Sequence, residues 1–286
     1  MSGVDVSGVD VSNPPSIEAI RCEALAFTYP DGTAALRGID LAIPVGGRVA
    51  IVGQNGSGKS TLVRQLNGLL RPTSGTVSIL GRPVGRRHVA ELARDVGLAF
   101  QNPDRQIFAG RVSTEVAFGP RNVGLDGAAL DEAVTRALGL VGLADAGRTN
   151  PYDLGFSKRK LLALASVLAM GTPIVVLDEP TTGQDAGGIA RIESIVEALA
   201  AEGRTVVTIS HDMRFVAESF DRVVVMREGR IVADGTPAEV FAEAGWPALR
   251  STNLEPPVAA RVGASLGLGA TPTEGALVEA LRSASA

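Results

Sequence analysis

Cysteine is almost missing from this chain. Cys22 stands alone, which excludes an intramolecular disulfide framework and a multi-cysteine metal site. Its thiol reads as a small buried side chain in a reducing compartment. Lysine is nearly as scarce, with Lys59, Lys158 and Lys160 the only ones among 27 basic residues. An excess of positive charge is also lacking: 27 basic against 31 acidic residues leave a net charge of −4. There is thus no global attraction for nucleic acid or anionic lipid, and any membrane attachment has to be local. Long apolar runs are absent too. The best candidate, Leu161 to Leu177, is short for a bilayer and is interrupted by Ser166, Gly171, Thr172 and Pro173. A buried helix followed by a buried strand explains it, so the chain is expected to be soluble or held at a membrane by a partner.

What is present suits one large α/β domain with an appendage. Residues 1–15 carry a tandem Ser-Gly-Val-Asp-Val without the basic flank and apolar core of a secretory signal, and are expected to be a disordered tail. Strand patterns come next at Ala24–Tyr29, Ile39–Ile43, Val49–Val52, Thr76–Leu80 and Val96–Phe100, most bounded by Gly or Pro. Later, the continuous apolar strands Ile174–Leu177 and Val206–Ile209 flank a helical pattern over Gly188–Ala201, which argues for a parallel sheet covered by helices. Between these parts, Leu130–Leu143 and Lys158–Met170 have helical spacing, so residues from about 103 to 170 read as a helical insertion. After the strand Arg222–Met226, composition shifts near Trp246 to Pro, Gly, Ala and Ser. Residues 16–245 are expected to form the main domain. Residues 246–286 are expected as a separate small extension with a helix near Thr273–Leu281.

The segment Gly53-Gln54-Asn55-Gly56-Ser57-Gly58-Lys59-Ser60 follows an apolar strand and precedes the helical run Thr61–Leu70. This is the pattern and context of a phosphate-binding loop. Glycines let backbone N–H groups converge on phosphate oxygens at a helix N-terminus, whose dipole favours negative charge. Lys59 would reach β- and γ-phosphates, and the Ser60 hydroxyl would bind Mg²⁺. In a chain that otherwise uses arginine, a lysine here is not a generic surface charge.

A second strand, Ile174 to Leu177, ends in Asp178 and Glu179, which a parallel sheet would deliver to the same edge as the loop. Asp178 suits Mg²⁺ coordination through water, and Glu179 suits polarisation of an attacking water. His211 follows the strand Thr205–Ser210. It reads either as a surface residue at a strand end or as a group that contacts a γ-phosphate or orients Glu179 and the water. His88, beside Arg86 and Arg87, is assigned no role.

Together these residues resemble the ABC ATPase family, from about Ile17 to Ala244, and the resemblance implies ATP as the ligand. The resemblance implies a P-loop NTPase fold with an N-terminal antiparallel β subdomain, a parallel core sheet, a helical subdomain and a C-terminal extension. It also implies that Tyr29 stacks on adenine and that Gln101 senses Mg²⁺ and the membrane partner. Gly53 to Ser60, with Thr61, would hold the nucleotide. Thr182-Gly183-Gln184-Asp185 would communicate across an ATPase dimer. The family's Leu-Ser-Gly-Gly-Gln signature, expected to face ATP bound to the opposite subunit, is here Leu154-Gly155-Phe156-Ser157-Lys158. Gly155 removes the usual hydroxyl and Phe156 adds bulk. Ser157 and Lys158 either restore phosphate contacts by another geometry or leave that site weak. The cluster Lys158-Arg159-Lys160 is a weak footprint for nucleic acid in an acidic chain, and reads as a helix face near phosphate or a solvated charge run.

Gln101-Asn102-Pro103-Asp104-Arg105-Gln106-Ile107-Phe108 and Glu115-Val116-Ala117-Phe118-Gly119-Pro120 resemble energy-coupling factor ATPases. That branch takes up vitamins and metal ions. It implies a groove for a coupling helix of a transmembrane scaffold, with Asp104 the candidate acidic residue; Arg105 stands where another acid would be expected. Leu254-Glu255-Pro256-Pro257-Val258-Ala259-Ala260 resembles that group's short dimer-contacting extension, with a disordered tail as the alternative. The expectation is an ATPase at the cytoplasmic face of the cell membrane, a homo- or heterodimer working with a scaffold and a substrate-binding membrane subunit. A regulatory or degenerate-site subunit of a heterodimer and a non-transport ABC ATPase stand as alternatives.

Overall fold

The computed structural model describes residues 18–285, so the tail expected over residues 1–15 lies outside it. The chain opens with β1 (Glu18–Thr28), β2 (Ala34–Pro44) and β3 (Arg48–Val52), then α1 (Lys59–Leu66). β4 (Ser74–Ile79), β5 (Arg82–Pro83), the short α2 (Val89–Leu92) and β6 (Val96–Ala99) follow. Three helices come next: α3 (Val112–Asn122), α4 (Gly127–Leu140) and α5 (Phe156–Leu168). The alternating part is β7 (Ile174–Asp178), α6 (Ala186–Ala201), β8 (Thr205–Ile209), α7 (Met213–Ser219), β9 (Arg222–Arg227) and β10 (Arg230–Gly235). The chain finishes with α8 (Pro237–Val240), α9 (Trp246–Arg250), α10 (Val258–Ser265) and α11 (Glu274–Ala284). No helix among the described residues is long and apolar enough to cross a membrane.

Two sheets result. The first, in the order β2-β1-β4-β5, is antiparallel throughout. The second runs β10-β9-β3-β8-β7-β6, parallel except for the antiparallel edge strand β10. Its central strands are continuous apolar runs because both faces are covered. Side chains alternate across a strand, and the packing obeys this: Val49 and Ile51 face a core shared with the antiparallel sheet and α1, whereas Ala50 and Val52 face the core shared with α3 to α7.

The helical run expected over Thr61–Leu70 stops at Leu66, since Gly68 turns the chain with φ +72°. The pattern at Leu130–Leu143 is a helix three residues earlier, and Gly142 with φ +70° follows its end. Within the segment from 246 onward, Leu249 has no exposed surface, and it and Ala260 belong to the same apolar cluster as Phe215 and Val223, whereas α11 buries no residue. At the end of α9 the Leu254 amide donates to the Leu249 carbonyl and the Asn253 amide to Arg250, with Asn253 left-handed at φ +57°. This is a Schellman cap, with asparagine in the position usually held by glycine.

The shared core generates an expected outcome. Leu249→Ala should lower the unfolding free energy of the whole chain by about 2–5 kcal/mol. Val278→Ala on the exposed face of α11 should stay within about 0.5 kcal/mol. Denaturant titration checks both; an unchanged global midpoint in the Leu249 variant would show that the C-terminal segment folds apart from the rest.

Candidate functional site

Parallel strands share a direction, so β3, β6, β7 and β8 end at one edge. The pairings Ile51 with Ile209, Ile209 with Asp178 and Leu177 with Ala99 set their last residues at nearly one level. The residues immediately beyond these strands therefore converge: 53–58 after β3, Gln101 after β6, Glu179 after β7 and His211 after β8.

The loop after β3 is shaped by glycine. Gly53, Gly56 and Gly58 have φ of +148°, +82° and +104°. A Cβ at Gly53 would lie 2.2 Å from the Met226 carbonyl oxygen, and one at Gly58 2.6 Å from that of Ala35. The first turn of α1 has no side-chain cap and no acidic residue, leaving its N–H groups for an anion. The Ser57 hydroxyl is buried without a partner. Lys59 is 6% exposed and donates to the carbonyls of Gly53 at 2.5 Å and Gln54 at 2.9 Å. Burial lowers its pKa, against the pull of Glu179 and Asp178.

Asp178 closes β7, and burial raises its pKa against the opposing effect of Arg64, Lys59 and Lys160. Glu179 is 3% exposed and left-handed at φ +52°, a conformation costing about 1–2 kcal/mol for a residue with a side chain. Burial foremost, opposed by Lys59 and reinforced by Asp178, pushes its carboxyl up to about 7. His211 Nδ1 lies 2.9 Å from Glu179 Oε1, and a backbone hydrogen bond from His211 opposes the rise of the carboxyl. Burial and the Lys59 charge lower the His211 pKa, favouring a neutral imidazole.

One open cleft is lined by Tyr29, Lys59, Ser60, Gln101, Glu179 and His211, among others. The Tyr29 hydroxyl is 3.0 Å from Thr61 Oγ1, and its ring meets Phe27 edge-on at 4.9 Å. Asn55 and Asp178 open onto the same cleft, whereas Gln54 accepts at Oε1 from Asn253 Nδ2 at 2.8 Å. An uncapped first turn and an unpartnered buried hydroxyl fit phosphate. The oxygen donors of Ser60, Gln101 and Asp178 fit a hard cation that takes few protein ligands.

Other expected residues do not line this cleft. Gly155 begins α5 without a side-chain cap, and the half-exposed Phe156 ring lies against Gly183. The Ser157 hydroxyl donates to Gln184 Oε1 at 2.7 Å, and Gln184 Nε2 returns to the Ser157 carbonyl at 3.2 Å. Asp185 caps α6 by accepting from the Gly188 amide at 2.8 Å. Asp104 is paired within the chain to Arg159 at 3.1 Å. Lys158 is solvated, but Lys160 is not: it is 6% exposed and donates to the carbonyls of Glu179 and, at 2.8 Å, Thr182. Burial takes its pKa down to about 8. The charge-run reading fails for Lys160 because the helix turns that side chain inward. Asn253 escapes sequence reasoning altogether, since nothing in a Pro-rich tail signals a contact 199 positions away.

Residues 36–182 match the family model described as ABC transporter. The energy-coupling factor transporter ATP-binding protein EcfA of Methanocaldococcus jannaschii is 41% identical over 240 residues, spanning 83% of this chain and 85% of that protein. EcfA1 of Methanospirillum hungatei is 40% identical over 248 residues, or 86% and 89% of the two chains. Among solved structures, cbiO1 from Clostridium perfringens, described as part of the ABC transporter complex cbiONQ, superposes with a TM-score of 0.74 at 36% identity, covering 87% of this chain and 99% of that one.

The Glu179 environment predicts a pH signature. With its carboxyl raised from an ordinary 4.5 to about 7, the folded chain binds that proton more tightly than the unfolded chain. The stabilising contribution is full below the lower value and is lost as pH rises toward the upper one. Without added nucleotide, the denaturation midpoint should therefore fall more steeply for wild type than for Glu179→Gln as pH rises from 4.5 to about 7. Parallel slopes would contradict the assignment.

Proposed function

The chain belongs to the ABC transporter family of ATPases, and from that premise we propose that it is the ATP-hydrolysing subunit of an energy-coupling factor importer for a vitamin or a metal ion. The observation that carries the proposal is the convergence of Lys59, Ser60, Gln101, Asp178, Glu179 and His211 on one cleft at the carboxyl edge of the sheet. Similarity to the EcfA proteins supports the branch.

Bound Mg·ATP supplies the electrophilic phosphorus and a cation to offset charge developing on its oxygens. Lys59 exchanges its two loop carbonyls for β- and γ-phosphate oxygens, while Gly56, Gly58 and the first turn of α1 offer backbone N–H groups. Tyr29 presents its ring to the base from the cleft mouth, with Thr61 holding its hydroxyl. Ser60, Gln101 and Asp178 are the oxygen donors toward Mg²⁺, directly or through water. Glu179, when ionised, accepts a proton from the attacking water, and His211 orients the pair.

Two copies are proposed to close around two nucleotides, with residues 154–158 facing the partner's γ-phosphate and Asp185 communicating between halves. Exposed Val258, Val262 and Leu266, spaced four apart on α10 and its end, suit a dimer contact by the C-terminal segment. For a scaffold's coupling helix, a groove runs past Leu69, Val89, Phe108 and Phe118. The two phenylalanine rings stack edge-on at 4.7 Å although 59% and 50% exposed. Asp104 borders the segment, and a scaffold arginine would compete there with Arg159. These contacts would hold the subunit at the cytoplasmic face of the cell membrane.

A second reading, one weak site in a heterodimer, is favoured by the missing hydroxyl at Gly155 and by Ser157 being engaged with Gln184.

Glu179→Gln should keep ATP affinity, lose about 100-fold or more in turnover, and accumulate as a closed dimer on size exclusion with Mg·ATP; normal turnover would sink the catalytic assignment. Gly155→Ser meets no steric obstacle, since a Cβ there has nothing within 4 Å. If the signature site is limiting, this substitution should raise the ATPase rate of the complex with its membrane partners. An unchanged rate there would count against the weak-site reading.

A further inference from the structure

Lys160 is a buried ammonium to which the proposed hydrolysis gives no part. It sits on the second turn of α5 and spans to the turn after β7, where it donates to the carbonyls of Glu179 and Thr182. Those two groups are the ends of the four-residue turn Glu179-Pro180-Thr181-Thr182, whose own closing contact, from the Thr182 amide to the Glu179 carbonyl, is long at 3.4 Å. The Glu179 amide is held from the opposite side by the Ile209 carbonyl at 2.8 Å. Glu179 is thus pinned on both sides of its Cα in the left-handed conformation, which persists only where its surroundings over-determine it. His211 Nδ1 stands 2.9 Å from the carboxylate, and the pinned backbone fixes the Cα from which that carboxylate projects.

We infer that Lys160 is a positioning residue for hydrolysis: by clamping the Glu179 and Thr182 carbonyls it aims the Glu179 carboxylate, and it makes that aim depend on where α5 sits. The neighbouring contacts supply the dependence on α5. Ser157 and Gln184 exchange hydrogen bonds, and Phe156 packs on Gly183, so the first two turns of α5 and residues 179–184 are tied at three points. A shift of α5 relative to the sheet would be felt at the Glu179 carbonyl. This inference rests on the proposed ATPase function and adds to it a residue and a route.

The test is steady-state ATP hydrolysis by the full chain with its membrane partners, comparing wild type, Lys160→Met and Lys160→Arg, together with direct titration of ATP binding. Lys160→Met should lower kcat by roughly 10- to 100-fold through misplacement of the carboxylate. KM and ATP affinity should stay within about twofold, because the phosphate loop is untouched. Lys160→Arg, which keeps a charged donor, should recover much of the loss. An unchanged kcat in Lys160→Met, or a loss of ATP affinity in proportion to kcat, would overturn the inference. If the methionine variant fails to fold, Lys160→Gln takes its place, keeping a shorter neutral donor, with the same split between kcat and KM expected. A wild type that binds ATP without hydrolysing it would fail the ATPase reading itself; a hydrolysing wild type matched by its Lys160 variants would fail this inference alone.

Discussion

Everything at the cleft depends on a sheet whose central strands are buried on both faces. Along β3, β7 and β8 almost no side chain can meet solvent, so polar chemistry is confined to the strand ends. The two apolar cores on either side lock the strands in register, and register sets the level at which each end emerges. A one-residue slip in β7 would carry Asp178 inward and exchange its apolar faces. The position of a carboxylate is thereby underwritten by dozens of methyl groups.

The same burial charges the site. Lys59 and Lys160 are held below their ordinary pKa, and Asp178 and Glu179 above theirs, in each case by desolvation first. Each pair also moderates the other, two cations against two carboxyls in one small volume. Removing a lysine therefore acts on the protonation of the two carboxyls, and removing a carboxyl on that of the two lysines.

Much of this is legible in residue patterns. The apolar strands with glycine boundaries, the loop from Gly53 to Ser60 and the acidic pair after β7 are readable because backbone geometry and charge placement leave local marks. The ends of α1 and α4 fall a few residues from where periodicity puts them, since only a left-handed glycine says where a helix stops. Lys160 is misread from sequence because a charge run looks the same whether a helix turns it outward or inward; the tertiary fold decides it. The seating of Leu249 and the reach of Asn253 to Gln54 are long-range facts, with no local trace in a segment rich in Pro, Gly, Ala and Ser.

The bonds that Lys59 makes to its own loop have a further consequence. A ligand entering this cleft does not meet a free ammonium; it has to outcompete two neutral carbonyls already at hydrogen-bond distance. A neutral oxygen offers no better bond than the one given up, whereas an anionic oxygen does. The loop thus works as a threshold on ligand charge: the neutral oxygens of sugars, bases and water are matched by the incumbents, and an anionic oxygen such as a phosphate's tips the exchange.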